Sequence, residues 1–455
     1  MRPDHTAWRF SVLALAAAFT LSACQPAAAP APTSPPAAAP TAVPAAKPTT
    51  APVAAPSTAP SAAPSTAPAA KPSAAPAAAP SAAPAAAPTT APAAASGTGQ
   101  QSQFFVQADF DRQQAQRKVT PEGPADQPWL QAIQPTYVDT AKYKKAGPWQ
   151  ICFSNADVGN PWRVVGWTTM QAEVGVQGSK IKQLTYVDAT GKDEKQISDM
   201  ADLATKGCDA IIVAPNTTAA LTPAVEKACA TGIPVIDFDR GVTTDCPVTF
   251  IHPIGGYAYG AAAAEFLSKT VKKGGNVLAL RILPGVDVLE TRWSAAKVIF
   301  DQNGINVVGV QFTDGDPAKT KSIVSDYIRR FGTLDGVWMD AGATSVAASE
   351  AFEDAGKPIP PITGEDQNDF LTKWSAQKLT AMAPTYPTYQ WRTPIIAAMM
   401  ILNGEKVPHE WVLPQPEITA DNLSQYVDPK MPPLFYPLCG CQKMPGYPEK
   451  WGGKP

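Results

Sequence analysis

Histidine is scarce in this 455-residue chain: there are three, and His5 falls in a segment that reads as a removable N-terminal signal. So few imidazoles starve most acid–base mechanisms. The sequence has no Gly-x-Ser-x-Gly elbow, no His-Glu-x-x-His and no phosphate loop. Ala355-Gly356-Lys357-Pro358 lacks the upstream glycine and runs into proline. No carboxylate spacing marks a glycosidase pair. Neither an enzyme nor a cofactor is expected. Excess charge is missing too, since 37 Lys and Arg meet 39 Asp and Glu for a net charge of −2, and no basic stripe appears. That argues against a nucleic-acid partner. No run is long and apolar enough to cross a bilayer.

The N-terminal part contains instead an anchor and a tether. Arg2 and Arg9 precede the apolar stretch Phe10–Leu21, which ends in Leu21-Ser22-Ala23-Cys24. This is a secretory signal, 1–24, and its ending resembles a bacterial lipoprotein cleavage box. Acylation of Cys24 would hold the chain on the lipid bilayer, and an ordinary signal with an incidental cysteine is the alternative. Residues 25–98 are almost entirely Ala, Pro, Ser and Thr and hold many of the 49 prolines. Such a segment cannot bury a core and favours extended polyproline conformations, with a reach of up to about 200 Å. A Ser/Thr-Pro composition also permits a glycosylated stalk. Residues 99–147 are polar and Gln-rich with scattered aromatics, and read as a poorly ordered lead-in.

The body, from about 148, is too large for one ordinary core, so two lobes are expected. Strand patterns at Trp149–Phe153, Ile181–Val187, Ala210–Ala214, Pro234–Phe238 and Thr249–Ile251 alternate with helical patterns, and the same alternation resumes from Asn276. Short apolar strands alternating with helices mean parallel sheets covered on both faces. Lys206-Gly207, Thr231-Gly232 and Asn303-Gly304 each close a helix before a strand. The first strand leads into Ser154-Asn155-Ala156-Asp157-Val158-Gly159-Asn160-Pro161-Trp162-Arg163. Asn160 can cap, and Pro161 suits the first helical position. A strand feeding a polar loop and a helix N-terminus is where open α/β sheets take ligands. Trp162 and Arg163 there would offer a flat apolar face beside a hydrogen-bonding fork, suited to a polyhydroxylated ring. Taken alone, these residues favour the plainer alternative, in which Trp162 packs under the loop and Arg163 is a solvated first-turn residue.

Asn160-Pro161-Trp162-Arg163, the run Asp199–Pro215, Ala219–Val225, Gly232-Ile233-Pro234-Val235 and Asp237-Phe238-Asp239-Arg240 occur in that order. Together they resemble the type I periplasmic binding proteins that serve sugar ABC transporters, in particular ribose- and galactofuranose-binding members. The resemblance covers 149–405 and is faint in the tail. It implies two Rossmann-like lobes with parallel sheets joined by three hinge crossovers, near Ile254–Tyr257, Pro384–Pro387 and His409–Leu413. It divides the body into an N-terminal lobe, 148–254 plus about 388–408, and a C-terminal lobe, 258–384 plus about 412–455 with its Cys-containing tail. Together with the lipoprotein-like signal, which supplies the lipid anchor, it implies an extracytoplasmic monomer that closes on a small molecule, a monosaccharide or sugar derivative, and hands it to ABC permease subunits. A chemotaxis or sensor receptor, a binder of a non-sugar solute and a tethered hydrolase are the alternatives.

Carried over position by position, the family's ligand contacts fall on Ser154, Asn160, Trp162 and Arg163. Further ones fall on Asp239 and Arg240 after the fourth strand, Arg292 at a helix start, and Asp366 after Gly364. Arg163 matches the galactofuranose binders rather than the ribose binders. The chain departs from the pattern at Asp340-Ala341-Gly342, where many relatives have Asn-Asp, and at Thr385-Tyr386, where a glutamine is expected. Asp340 and Tyr386 are the candidates there. Taken alone, Asp239-Arg240 could be a local ion pair and Arg292 a solvated helix residue.

Besides Cys24 there are six cysteines in a chain that leaves the cytoplasm. An even number suggests disulfides, and six allow 15 pairings. Cys152 in the first strand reads as a free apolar filler. Pairing among Cys208, Cys229 and Cys246 is plausible, and Cys439-Gly440-Cys441 could staple the tail. Without a nearby His or a second pair at zinc spacing, no metal site is expected.

Overall fold

The computed structural model describes residues 103–342 and 344–455. The signal 1–24, Cys24 and the tether 25–98 lie outside the described residues. Among the described residues no helix is long and apolar enough to cross a membrane.

Residues 103–147 are ordered, contrary to the expected loose lead-in. They hold α1 (Gln107–Gln116) and β1 (Tyr137–Val138). α1 has no broad apolar stripe, so nothing in its own sequence announces it. Distant partners hold it. Phe105 and Phe110 meet Tyr257 edge-on, with ring centroids 5.7 and 6.2 Å away. Arg117 pairs with Glu265 at 3.0 Å and Glu417 at 2.8 Å.

The first lobe starts with β2 (Trp149–Asn155), α2 (Pro161–Gln177), β3 (Ile181–Asp188), α3 (Asp193–Leu203) and β4 (Ala210–Ala214). It continues with α4 (Thr218–Cys229), β5 (Val235–Phe238) and β6 (Thr249–Pro253). β4 is buried at every position, as a strand covered on both faces requires. The chain then leaves for the second lobe, first through α5 (Gly256–Thr270), β7 (Asn276–Arg281), α6 (Asp287–Asn303) and β8 (Asn306–Phe312). There follow α7 (Pro317–Phe331), β9 (Gly336–Met339), α8 (Ser345–Asp354), β10 (Ile362–Thr363), α9 (Asn368–Gln377) and β11 (Ala381–Pro384). Gly304 closes α6 in the left-handed region at φ 65°, the role its Asn-Gly pair suggests. The chain returns for α10 (Thr393–Asn403), β12 (Val407–Pro408) and β13 (Glu410–Leu413), then crosses again to β14 (Glu417–Ile418).

Two six-stranded sheets result, ordered β13-β6-β5-β4-β2-β3 and β14-β11-β10-β9-β7-β8. Within these two sheets all pairings are parallel except β14 against β11, and β1 pairs antiparallel with β12 in a separate two-stranded sheet. This is the type I periplasmic binding protein fold. The crossovers lie at 254–255, 385–387 and 414–416. The third is later than its expected place at His409–Leu413, because Glu410–Leu413 pair in parallel with Phe250–Pro253 and belong to the first sheet.

Cys152 is not a free filler. It bonds Cys208 across a Cα–Cα distance of 5.8 Å, and Cys229 bonds Cys246 at 6.1 Å. Both bridges lie in the first lobe. Cys439 bonds Cys441, two residues away, so this bridge tightens the tail on itself rather than stapling it to a lobe.

Candidate functional site

A cleft of about 420 Å³ opens between the lobes where the C-terminal ends of both sheets face each other. Its first-lobe wall is the loop after β2, the start of α2 and the turn after β5. The α2 start is built as its sequence suggests: Asn160 Oδ1 accepts from Arg163 N at 3.0 Å, and Pro161 occupies the first turn. Arg163 is not solvated. Its side chain is 2% exposed, and Nη2 donates to Asp239 Oδ2 at 2.7 Å. Nη1 donates to Asn155 Oδ1 at 3.3 Å, and Asp157 lies 3.7 Å from Nε.

Asp239 adopts φ 74°, uncommon for a residue with a side chain. Its backbone is held on both sides: the N–H donates to Ile251 O at 3.0 Å, and its carbonyl accepts from the Tyr386 hydroxyl at 3.2 Å. Arg240 comes no nearer to Asp239 Oδ2 than 4.0 Å and gives a hydrogen bond to the Asn216 carbonyl. Burial, then the like charge of Arg163, pulls the Arg240 guanidinium below its ordinary value.

Trp162 takes part in both of the roles open to it. It lines the cleft, and its indole also joins the hinge. Nε1 donates to Tyr386 O at 2.6 Å, and the ring sits 5.5 Å from Tyr386 and 5.7 Å from Trp391. Gly166, one turn further along α2, lets Trp391 approach: a Cβ there would lie 2.3 Å from Trp391 Nε1.

The second-lobe wall comes from the loop between β7 and α6 and from the start of α6, with Leu283, Val286 and Leu289 giving it an apolar stretch. Arg292 stands in α6 with its guanidinium 3.9 Å from the Tyr259 ring and 5.0 Å from that of Tyr386. It donates to the Asp340 carbonyl and lies 3.5 Å from Glu365 Oε1. Glu365 Oε2 accepts from Gly342 N at 3.2 Å and Tyr436 Oη at 3.4 Å. Burial pushes the Glu365 carboxyl up, against the pull of Arg292.

Of the ten expected ligand residues, Asn160, Trp162, Arg163, Asp239, Arg240, Arg292 and Tyr386 line this cleft. Three do not. Ser154 is fully buried with Oγ 3.3 Å from Gln196 Nε2, because strand alternation turns it into the lobe. Asp340 is buried behind the wall, where Oδ1 accepts from Ile282 N at 2.9 Å and burial pushes its carboxyl up to about 7. Asp366 is buried, and neither carboxylate oxygen has a hydrogen-bond partner among the described residues. Burial, then Glu365, pushes it well up. Glu365 takes the cleft position instead, one residue earlier. Asp157, Glu365 and Tyr436 are cleft residues that the sequence reading missed. The first lies in the quoted Ser154–Arg163 loop and the second beside a chosen residue, whereas Tyr436 sits in a Pro-rich tail with no pattern to mark it.

Among the described residues no group of three or more His, Cys, Asp or Glu side chains could hold a metal ion. The cleft offers paired guanidinium and carboxylate groups, neutral phenols and an aromatic edge.

Residues 151–406 match the family described as periplasmic binding protein domain, and the chain belongs to that family. The ribose import binding protein of Bacillus subtilis (strain 168) is 29% identical over 257 residues, 56% of this chain and 83% of that protein. The xylitol-binding protein of Mycolicibacterium smegmatis is 24% identical over 249 residues, 54% of this chain and 71% of that one. The crystal structure of an ABC transporter solute-binding protein from Bacillus halodurans C-125 with bound myo-inositol superposes with a TM-score of 0.56. It is 20% identical and covers 62% of this chain and 98% of that one.

Proposed function

We propose that the protein is a solute receptor of an ABC importer and captures a monosaccharide or related polyol by closing its two lobes. The observation that carries this is the pairing of the two walls. Trp162, Asp239 and Arg240 on one lobe face Arg292 and Glu365 on the other, around a cleft of about 420 Å³. Carboxylates accept from hydroxyls, guanidinium forks donate to them, and an aromatic surface takes the C–H face of a ring. A ligand touching both walls stabilises the closed state, because it makes both sets of contacts only there. Ribose and xylitol, named for two relatives, share a compact polyhydroxylated carbon frame that such a cleft fits. The protein's role is binding rather than catalysis, outside the cytoplasm, as a monomer held to the membrane through lipid on Cys24.

Calorimetric titration of the full chain with D-ribose, xylitol and myo-inositol tests the ligand class. At least one should bind with a Kd of about 10 μM or tighter. Silence towards all three, with heat on adding an amino acid, would replace the sugar reading and leave the fold intact. Cys24→Ala should release the protein from the membrane fraction, and a variant still retained there would exclude the lipid anchor.

A further inference from the structure

The tail beyond β14 lies outside the family match at 151–406 and joins both lobes. On the second lobe, Asn368 N donates to Phe435 O and Asp369 N to Pro433 O, both at 2.8 Å. The Asn368 side chain also donates to Asp428 O at 3.0 Å and Met431 O at 3.2 Å. On the first lobe, Tyr389 N donates to Leu438 O at 2.8 Å and Arg392 donates to Gly440 O. Further along, Trp451 Nε1 donates to Thr169 Oγ1 at 3.0 Å. Phe435, Cys439, Cys441 and Trp451 pack with Val165 and Ala172 of α2.

Phe435 is therefore tied to one lobe and Leu438 to the other, and only Tyr436 and Pro437 stand between them. Three peptide steps span at most about 11 Å, so this link is short. Tyr436 lines the cleft, and its hydroxyl reaches Glu365 Oε2 at 3.4 Å and Gln367 Oε1 at 3.2 Å.

We propose that the C-terminal segment Asp428–Trp451 is a working part of the binding site: a fourth connection between the lobes that supplies Tyr436 as a ligand-facing wall and holds Glu365 in place. The proposal rests on the polyol reading for its ligand and on the hydrogen bonds alone for its bridge. Tyr436 is placed to discriminate between ligands in two ways. Its ring limits the space beside Glu365, and its hydroxyl orients the one cleft carboxylate of the second lobe that also meets Arg292. A site completed from outside the family's common region can differ in selectivity from relatives that share the rest of the cleft.

Two measurements on the full chain test this. Hydrogen exchange without sugar should find the Asn368, Asp369 and Tyr389 amides slowed at least about a hundredfold relative to unstructured peptide. Exchange of Asp369 and Tyr389 at loop rates would show the tail undocked and overturn the bridge, whatever the ligand. Titration with the best binder among D-ribose, xylitol and myo-inositol should find Tyr436→Ala weaker by at least about tenfold. Tyr436→Phe, which keeps the wall, should lose about threefold in affinity and about fivefold in the folding equilibrium, which is about 1 kcal/mol of stability. Affinity of Tyr436→Ala within twofold of wild type would overturn the ligand-facing role. If the wild type binds none of the three, the polyol reading fails by itself, and the exchange result still decides the bridge.

Discussion

On the first-lobe wall, Arg163 donates to Asp239 at 2.7 Å and to Asn155 at 3.3 Å, with Asp157 also near. On the second-lobe wall, Arg292 reaches Glu365 only at 3.5 Å and rests over the Tyr259 ring instead. Its Nε, one oxygen of Asp340 and both of Asp366 have no hydrogen-bond partner among the described residues. Both walls bury charge, which is costly unless it is paired. The first does so with tight ion pairs, in a lobe closed by two disulfides. The second pairs its carboxyls more loosely, with Arg281 Nε 3.6 Å from Asp340 Oδ2, and burial pushes them up: Asp340 to about 7, and Glu365 and Asp366 in the same direction. The contrast is between a first wall held by close ion pairs and a second wall whose buried polar groups are more loosely paired.

The largest expected effect breaks the covalent side of that contrast. Replacing Cys152 and Cys208 together by alanine opens a ring with a sequence separation of 56. Chain entropy predicts a loss of ~4 kcal/mol, all of it in the first lobe. Chemical denaturation should then resolve an early first-lobe transition; an unchanged midpoint would show that the bridge adds nothing.

Asp340 tests the titrating side. Its folded value of about 7 lies above the ordinary 3.8, so the folded protein keeps a proton that the unfolded chain releases. Its contribution therefore makes stability fall as pH rises from about 4 to about 7, and the loss is complete above that window. Asp340→Asn can still accept from Ile282 N. It should leave the pH 4 melting point close to wild type and stabilise at pH 8 by at most about 4 kcal/mol, reduced by the loss of the Arg281 contact. Parallel melting curves for variant and wild type across that range would exclude Asp340 as the titrating group.

The smallest expected effect concerns the residue shared by wall and hinge. Trp162→Phe keeps an aromatic face but loses the 2.6 Å bond to Tyr386 O. About 1 kcal/mol of stability should go, with a fivefold or smaller loss of affinity for the best polyol. A loss of affinity beyond a hundredfold with no change in melting would show that the indole N–H serves the ligand rather than the hinge.

Much of the first wall was legible in the sequence because its signals are local. Asn160 and Pro161 mark a helix start, so Trp162 and Arg163 had to stand at a strand–helix mouth. Asp239-Arg240 follows a short buried strand in the same way. The second wall was legible only to within a residue. Glu365 and Asp366 are adjacent acids after β10 with the same chemistry, and only the fold shows that Glu365 lines the cleft, where Tyr436 reaches it, while Asp366 is buried. Cys152 was misread for a related reason: a fully buried strand cysteine looks the same free or bridged until Cys208, 56 residues away, is placed beside it. The tail and residues 103–147 carried little signal, since they lack apolar periodicity, and in the tail the family resemblance is faint and only Cys439-Gly440-Cys441 stands out.

By itself, then, the sequence determined the alternation of strands and helices, the two lobes, the family and the helix mouth that anchors the site. The alternation and the helix mouth follow from hydrophobic period, capping and turn chemistry, which act over a few residues; the two lobes follow from the size of the body, and the family from the resemblance of the motifs between Asn160 and Arg240. The tertiary structure alone decided that Arg163 is locked to Asp239, that Glu365 rather than Asp366 faces the cleft, and that Tyr436 closes it from a tail tied to both lobes. Those outcomes depend on contacts between residues about 70 or more positions apart. They depend too on burial, which sets whether a carboxylate stays charged, and neither is encoded in any local pattern.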